Sequence, residues 1–234
     1  ISLLTDNGWD ASLKYWQTRM GNRVSPVLVP DLLNAHDEVA GRIIRADGGN
    51  DGRPGRILTL DTRFGNFGAV SARGFDISIE RVVETPIGLI TPGIDITRTV
   101  DFEYRDLPAA SARSLDRAGI ASVYGTVPSG RFVAYLHFAH ANGLGISTFA
   151  RYHSSYKDYS SVAGAVTGHR VPTQTLLDIK VTKDIGDRLT LSIGAHNVLD
   201  DSPPFAQSGE SIGFDQSQGN LLGREAFFEI TGSF

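Results

Sequence analysis

A two-residue rhythm constrains this chain more than any other feature. In 225-EAFFEITGSF-234 one side carries Ala226, Phe228, Ile230, Gly232 and Phe234, and the other Glu225, Phe227, Glu229, Thr231 and Ser233. In 188-RLTLSIGAH-196, Leu189, Leu191, Ile193 and Ala195 alternate with Arg188, Thr190, Ser192 and His196. Leu177, Ile179 and Val181 oppose Asp178, Lys180 and Thr182, while Phe132, Ala134, Leu136 and Phe138 oppose Arg131, Val133, Tyr135 and His137. Segment 144–153 sets Ile146, Ala150 and Tyr152 against Ser147, Arg151 and His153, and segments 9–18, 70–83 and 89–104 behave alike. A period of two with one apolar face marks half-buried antiparallel strands. Helical periodicity is nearly absent, so the fold class is all-β.

The connections alternate in length. Short turns fall at 85-TPIG-88, 141-ANG-143 and 184-DIG-186, and long polar loops at about 19–68, 105–121, 156–172 and 197–222. Short turns on one side and long loops on the other characterise outer-membrane barrels. Strand parity then gives eight spans, at 8–18, 70–83, 89–104, 130–140, 144–155, 174–182, 187–196 and 223–234, with 57-ILTLDTRF-64 as a strand inside the first long loop. A three-residue loop at Ala141-Asn142-Gly143, with Gly in the left-handed position, pairs Phe138 with Ile146, Leu136 with Thr148, Ala134 with Ala150 and Phe132 with Tyr152. The same logic at Asp184-Ile185-Gly186 pairs Val181 with Leu189 and Ile179 with Leu191. Thr85-Pro86-Ile87-Gly88 fits a type I turn. Arg81 and Arg98 interrupt apolar faces, but near strand ends, where an arginine costs ~0–1 kcal/mol against ~2–4 at the midplane. Pro92 requires a bulge or an unpaired edge. Trp9, Tyr15, Trp16, Phe102, Tyr104, Tyr152 and Tyr156 lie near strand ends, as in an interfacial aromatic girdle.

The chain has 234 residues, no Cys and a net charge of −4. Disulfides, thiolate metal sites and cysteine catalysis are therefore excluded, and the charge argues against nucleic acid as partner. No run of ~18 apolar residues marks a membrane helix, though barrels span without one. The start at Ile1, without Met or a signal peptide, is expected of a mature form or a piece of a longer protein. Nucleophile elbow, phosphate loop, metalloprotease helix and dinucleotide fingerprint are all missing. Neither an enzyme nor a cofactor is expected. The stretch 47-DGGNDG-52 has the composition of a calcium loop but not the spacing or closing Glu of an EF-hand.

The last third of the chain resembles the C-terminal end of TonB-dependent outer-membrane receptors. The carrying residues are 196-HNVLDDSPPF-205, 213-GFD-215, 223-GR-224 and the final strand with Phe228 and Phe234; Asn197, Asp200, Pro203, Pro204, Phe205, Gly223 and Arg224 form its C-terminal motif. Upstream, 172-PTQTLLDIKV-181 resembles the antepenultimate strand, and Asn66, Gly68 and 74-GFD-76 a recurring element. Val198-Leu199 replaces the usual Leu-Phe pair. The resemblance implies an antiparallel transmembrane β-barrel of ~22 strands, of which residues 1–234 supply about the last eight, without the plug domain or TonB box. It further implies the bacterial outer membrane, import of a scarce nutrient (a ferric siderophore, cobalamin or an oligosaccharide), and Phe228 and Phe234 as a signal to the barrel-assembly machinery. Its partners are outer-membrane lipid, TonB through the missing N-terminal region and an unidentified small ligand.

Asp95, Asp101, Arg151, His153, Lys180 and Glu229 are the candidate lumen-facing residues, as a ligand-conducting wall, a plug contact or plain solvated charge. His137, His196 and Glu103 share that facing. The Pro203-Pro204 pair reads as a rigid strand exit. Two other folds fit the same pattern. One is a complete eight-stranded barrel with a structural or adhesion role, which requires strands 8–18 and 223–234 to pair. The other is a soluble β-sandwich binding module.

Overall fold

The computed structural model describes residues 1–5, 7–25, 27, 29–34, 41–48, 52–105, 115–116, 118–122, 125–160, 165–219 and 221–232. They form two units, one of residues 1–16, 74–100 and 118–234, the other of 17–73 and 101–117. In chain order the strands are Ser2–Leu4 (β1), Trp9–Ser25 (β2), Ile43–Arg45 (β3), Ile57–Leu60 (β4), Gly65–Arg81 (β5), Val83–Thr85 (β6), Gly88–Arg105 (β7), Leu115–Asp116 (β8), Ala121–Ser122 (β9) and Gly125–Thr126 (β10). They continue as Gly130–Ala139 (β11), Leu144–His153 (β12), Tyr156–Ser160 (β13), Ala165–Val171 (β14), Gln174–Ile185 (β15), Leu189–His196 (β16) and Glu225–Gly232 (β17). Among the described residues there are also one short helix, Val29–Asn34 (α1), and a 3-10 turn at Gln207–Ile212. Among the described residues no helix is long and apolar enough to cross a membrane.

One sheet has the order β1-β2-β5-β7-β11-β12-β15-β16-β17, with β6 and β8 paired on β7. All eight predicted spans are strands of this sheet, and Ile57–Leu60 pairs with Ile43–Arg45 as a hairpin in the first long loop, as expected. β1 and β17 occupy the two edges and are not neighbours in this sheet. The small closed barrel, which needs β2 and β17 to pair, is thereby overturned.

Register converts the alternation into continuous rows. On one face Ile90, Phe138, Ile146, Val181, Ile193 and Phe228 lie side by side across six strands. The adjacent row on that face is Pro92, Leu136, Thr148, Ile179, Ala195 and Ala226. Between them, on the opposite face, runs Thr91, His137, Ser147, Lys180, Gly194 and Phe227. Neither apolar row is buried, and Leu136, Ile179, Ile193 and Phe228 are exposed, Ile193 at 61% and Phe228 at 63%. A sandwich would bury this face against a second sheet; its exposure excludes that alternative.

The hairpin at 141–143 has the predicted pairs, and Gly143 has φ +81. The next hairpin differs. β15 continues to Ile185, the loop is Gly186-Asp187-Arg188, and Val181 faces Ile193 while Ile179 faces Ala195. Gly186, at φ +60, opens this loop, and Thr190 Oγ1 donates to Asp184 Oδ1 at 2.7 Å across the added pair. The shift of four residues is even, so every side chain keeps its face. At the first hairpin Thr85 pairs with Gly88, leaving Pro86 and Ile87 as the turn, as placed from sequence. β7 runs through Pro92 on β11 without a shift. The expected bulge is not seen in that pairing; β5 ends at Arg81 and β6 begins at Val83, and the Val82 N–H between them donates to Gly8 O at 2.9 Å.

On the polar face, glycines open space for rings. A Cβ on Gly93 would stand 2.2 Å from the Tyr135 ring directly opposite, and one on Gly194 would stand 2.4 Å from Phe227. The element 74-GFD-76 works the same way. The Trp16 indole lies over Gly74, while Asp76 Oδ1 accepts from Trp16 Nε1 (3.2 Å) and Thr97 Oγ1 (3.0 Å), tying β2, β5 and β7. Trp16 is therefore a polar-face residue, not part of an outer girdle. Tyr104 and Tyr156 are also buried, whereas Trp9 and Tyr15 are exposed as expected.

Candidate functional site

Arg131, Arg151, Asp178, Lys180, Glu225 and Glu229 fall on the polar alternation of their strands, so the ladder brings them onto one face. Arg151 grips Asp178 with both arms of its guanidinium, Nε to Oδ2 at 2.7 Å and Nη2 to Oδ1 at 3.0 Å. Asn197 N donates to the same carboxylate at 2.9 Å, and His196 Nδ1 lies 3.7 Å away. Lys180 Nζ meets Glu229 Oε2 at 2.9 Å. Tyr135 donates to Glu80 Oε2 at 3.0 Å. Asp95 and Arg151 are both ladder partners of Val133. His153 places Nδ1 3.2 Å from Ser154 O, while its Nε2 is buried without a hydrogen-bond partner. Of the six residues predicted for this face, five stand on it together. The sixth, Asp101, belongs to the second unit and pairs with Arg73 at 3.2 Å. Asp178, the hub of the largest cluster, was not singled out from sequence, because its hub role depends on backbone and side-chain partners 19 and 27 positions away.

The C-terminal motif ties together the two ends of the loop between β16 and β17. Asn197 and Asp200 both have positive φ, +49 and +61, a conformation that Asn and Asp tolerate better than most residues. Asn197 Oδ1 accepts from Asp201 N at 3.0 Å, and its Nδ2 donates to Asp201 O at 2.9 Å. Asp200 Oδ1 then accepts Arg224 N at 2.8 Å, and a Cβ on Gly223 would press to 2.8 Å from the same oxygen. Pro203 packs near Gly219, Phe205 is exposed with its ring edge-on to His169 (5.6 Å), and Phe228 stands on the exposed apolar face. Phe234 lies outside the described residues.

At the end of the strands opposite the short turns, the loops of the first unit are locked into one body. Ala121, Tyr156, Val171 and Ala206 form its core, with Tyr159 against it. Asp158, fully buried, accepts from Tyr159 N (2.8 Å), Gln207 N (2.6 Å), Ser208 N (3.1 Å) and His169 Nδ1 (2.9 Å). Burial alone would raise its pKa, but these donors hold it below the ordinary carboxylate range. Burial first, and then the carboxylates of Asp215 and Asp158, push the Tyr156 phenol up. Asp215 of the 213-GFD-215 element binds Ser217 N (2.9 Å), Ser217 Oγ (2.6 Å) and Thr126 Oγ1. Gln218 joins Thr126 O to Arg131 at 2.7 and 2.6 Å.

The second unit has its own small core, Val27 and Leu32 against Ile43 and Leu60. Arg42 donates to the carbonyls of Asp61 (3.2 Å) and Arg63 (2.6 Å). Asp61 takes both arms of Arg63 at 2.9 and 2.7 Å, which holds its carboxyl well below the usual range. An open groove of about 430 Å³ runs between Arg19, Gly21, Ala69, Ser71 and Glu103. Among the described residues no group of three His, Cys, Asp or Glu is placed to hold a metal ion. Of the stretch 47–52, residues 49–51 lie outside the described residues.

Solved structures share this fold over the whole chain. The FrpB iron transporter from Neisseria meningitidis superposes with a TM-score of 0.60 at 11% identity, covering 98% of this chain and 30% of that one. The ferric enterobactin receptor from Pseudomonas aeruginosa, in complex with enterobactin, gives 0.63 at 15% identity, covering 100% and 30%. The siderophore receptor PiuA from Acinetobacter baumannii gives 0.53 at 15% identity, covering 98% and 26%. No protein-family profile and no curated protein matches the chain. The fold is thus that of an antiparallel barrel portion of a TonB-dependent receptor, as the resemblance in the C-terminal third implies. These solved proteins are receptors and transporters rather than enzymes, and the chain spans about 30% or less of their length.

Proposed function

We propose that this chain is the C-terminal wall of a TonB-dependent receptor in the bacterial outer membrane, and that the whole receptor imports a ferric siderophore. The observation that carries the reading is the pair of opposed faces. An apolar row unbroken across six strands, with Ile193 and Phe228 exposed, suits acyl chains, while the alternate face holds paired charge suited to a wet interior. Siderophores are favoured over cobalamin and oligosaccharides because the structures matched in fold include an enterobactin-bound receptor and a siderophore receptor. In this reading Arg151, His153, Lys180, Glu229 and Asp95 line the lumen, the locked loops face the cell exterior, and Phe228 and Phe234 serve barrel assembly. The plug and the TonB contact are supplied from upstream of Ile1. Deleting the gene should abolish energy-dependent uptake of at least one radio-iron siderophore, with a protonophore reproducing the loss in wild type. Unchanged uptake across hydroxamate, catecholate and carboxylate siderophores would contradict the ligand assignment. Recovery of the protein in the soluble fraction would contradict the receptor reading itself.

A further inference from the structure

Two cations stand side by side on the loop body with no carboxylate to neutralise them. The hairpin β13-β14 continues the pairing of β12 with β15 without a slip: Tyr152 faces Thr175, His153 faces Gln174, Tyr156 faces Val171 and Lys157 faces Arg170. The alternation carries through, so Lys157 and Arg170 are in step with Arg151, His153, Gln174 and Lys180 of the polar face. Burial agrees. Tyr156, Asp158 and Val171, on one side of the hairpin, are buried in the loop body, while Lys157 and Arg170, on the other, are exposed. Like charges directly opposite one another destabilise a ladder. Lower on this face, Arg151 and Lys180 are balanced by Asp178 and Glu229. Among the described residues no carboxylate pairs with Lys157 or Arg170, and Arg170 Nη1 donates to the neutral Ser155 Oγ at 2.8 Å. Beneath them the row Thr97, Arg131, His153 and Gln174 adds a third cation and no acid. This sector of the outer end is thus positive, whereas the strands below it hold paired charge.

We propose that Lys157 and Arg170 form an anion subsite at the mouth of the lumen, and that it selects the net-anionic class of ferric siderophore. The proposal rests on the receptor reading above and narrows it. Three catecholates carry twice the charge that neutralises a ferric ion, so their complex is an anion, as are complexes with excess carboxylate; three hydroxamates give a neutral complex. An anionic complex between the ammonium and the guanidinium relieves their repulsion, and a neutral one leaves it in place. A lipid headgroup does not fit, because the pair stands in step with the face opposite the apolar rows. The test is equilibrium binding to the full-length protein, purified from outer membranes in mild detergent, of ferric enterobactin, ferric citrate and the neutral trihydroxamate ferrichrome. An anionic complex should bind in preference to ferrichrome, and more weakly as salt is added. Lys157→Gln should weaken that binding about tenfold, as expected for one charge-assisted contact. Lys157→Glu, which faces Arg170 with an opposite charge, should weaken it further. Both variants should keep or raise the denaturation midpoint, because the repulsion is gone. Ferrichrome bound as tightly as either anion, an affinity unchanged in either variant, or weakened binding accompanied by a lowered midpoint overturns the subsite and leaves the receptor reading standing. Binding of none of the three complexes defeats the siderophore reading itself, and the subsite with it.

Discussion

Replacing Asp158 with Ala should cost the outer loop body about 3–5 kcal/mol, because three part-buried backbone N–H groups lose a fully buried anionic acceptor, each at the lower part of the ~1–3 kcal/mol range for an unsatisfied donor. The donors at Tyr159, Gln207 and Ser208 come from two loops, and the His169 ring comes from the far strand of the hairpin. Removing the carboxylate therefore frees the hairpin β13-β14 from the 3-10 turn at 207–212. Hydrogen exchange of those three amides should accelerate by about a hundredfold or more, since every 1.4 kcal/mol is a factor of ten. Asp158→Asn keeps one oxygen and should lose about half as much. The pH dependence has a definite sign. The folded-state pKa is depressed, so the contribution is present above the ordinary Asp value of ~3.9 and is lost as pH falls through the lower folded value. Loop protection in wild type should therefore persist at pH 5 and fade only below about 4.

The second large effect concerns facing. Ile179 sits in the middle of an apolar row between Thr148 and Ala195. An arginine there meets hydrocarbon at about mid-depth, at ~2–4 kcal/mol, too far from either interface to snorkel. Ile179→Arg should sharply reduce the folded protein recovered from outer membranes and lower its denaturation midpoint. Thr91→Arg, one row away on the polar face beside His137, should be close to wild type in both measures. Equal damage from the two substitutions would mean that both faces are dry.

Much of the wall was legible because its two determinants are local. Alternation fixes which side chains share a face, and a turn residue with positive φ, such as Gly143, fixes register. The error at 184–188 shows where this ends. Asp184-Ile185-Gly186 and Gly186-Asp187-Arg188 both place a glycine in a three-residue loop and both keep the same parity. The sequence pattern alone cannot distinguish them; the choice rests on cross-strand contacts such as Thr190 to Asp184. The same holds for Pro92, which stands opposite Leu136 with no shift in that pairing.

The polar clusters were only half visible. Arg151, Lys180 and Glu229 stand out because charge alternates with apolar residues in their strands. Asp178 and Asp158 owe their roles to backbone donors that only the fold delivers, 19 positions away in one case and 49 and 50 in the other. The C-terminal motif was recognisable by resemblance, but its physical work, the staple of Asp200 to Arg224 N across a loop of 24 positions, follows only from the coordinates.

Site-directed spin labels test the opposed faces most directly, and the chain has no native cysteine to remove. Single cysteines at Phe138, Val181 and Ile193 should be readily relaxed by oxygen and shielded from a water-soluble nickel chelate when the full-length protein is reconstituted in vesicles. Cysteines at His137, Lys180 and Gly194 should show the reverse. Nickel accessibility that is equal on the two sets would contradict the account.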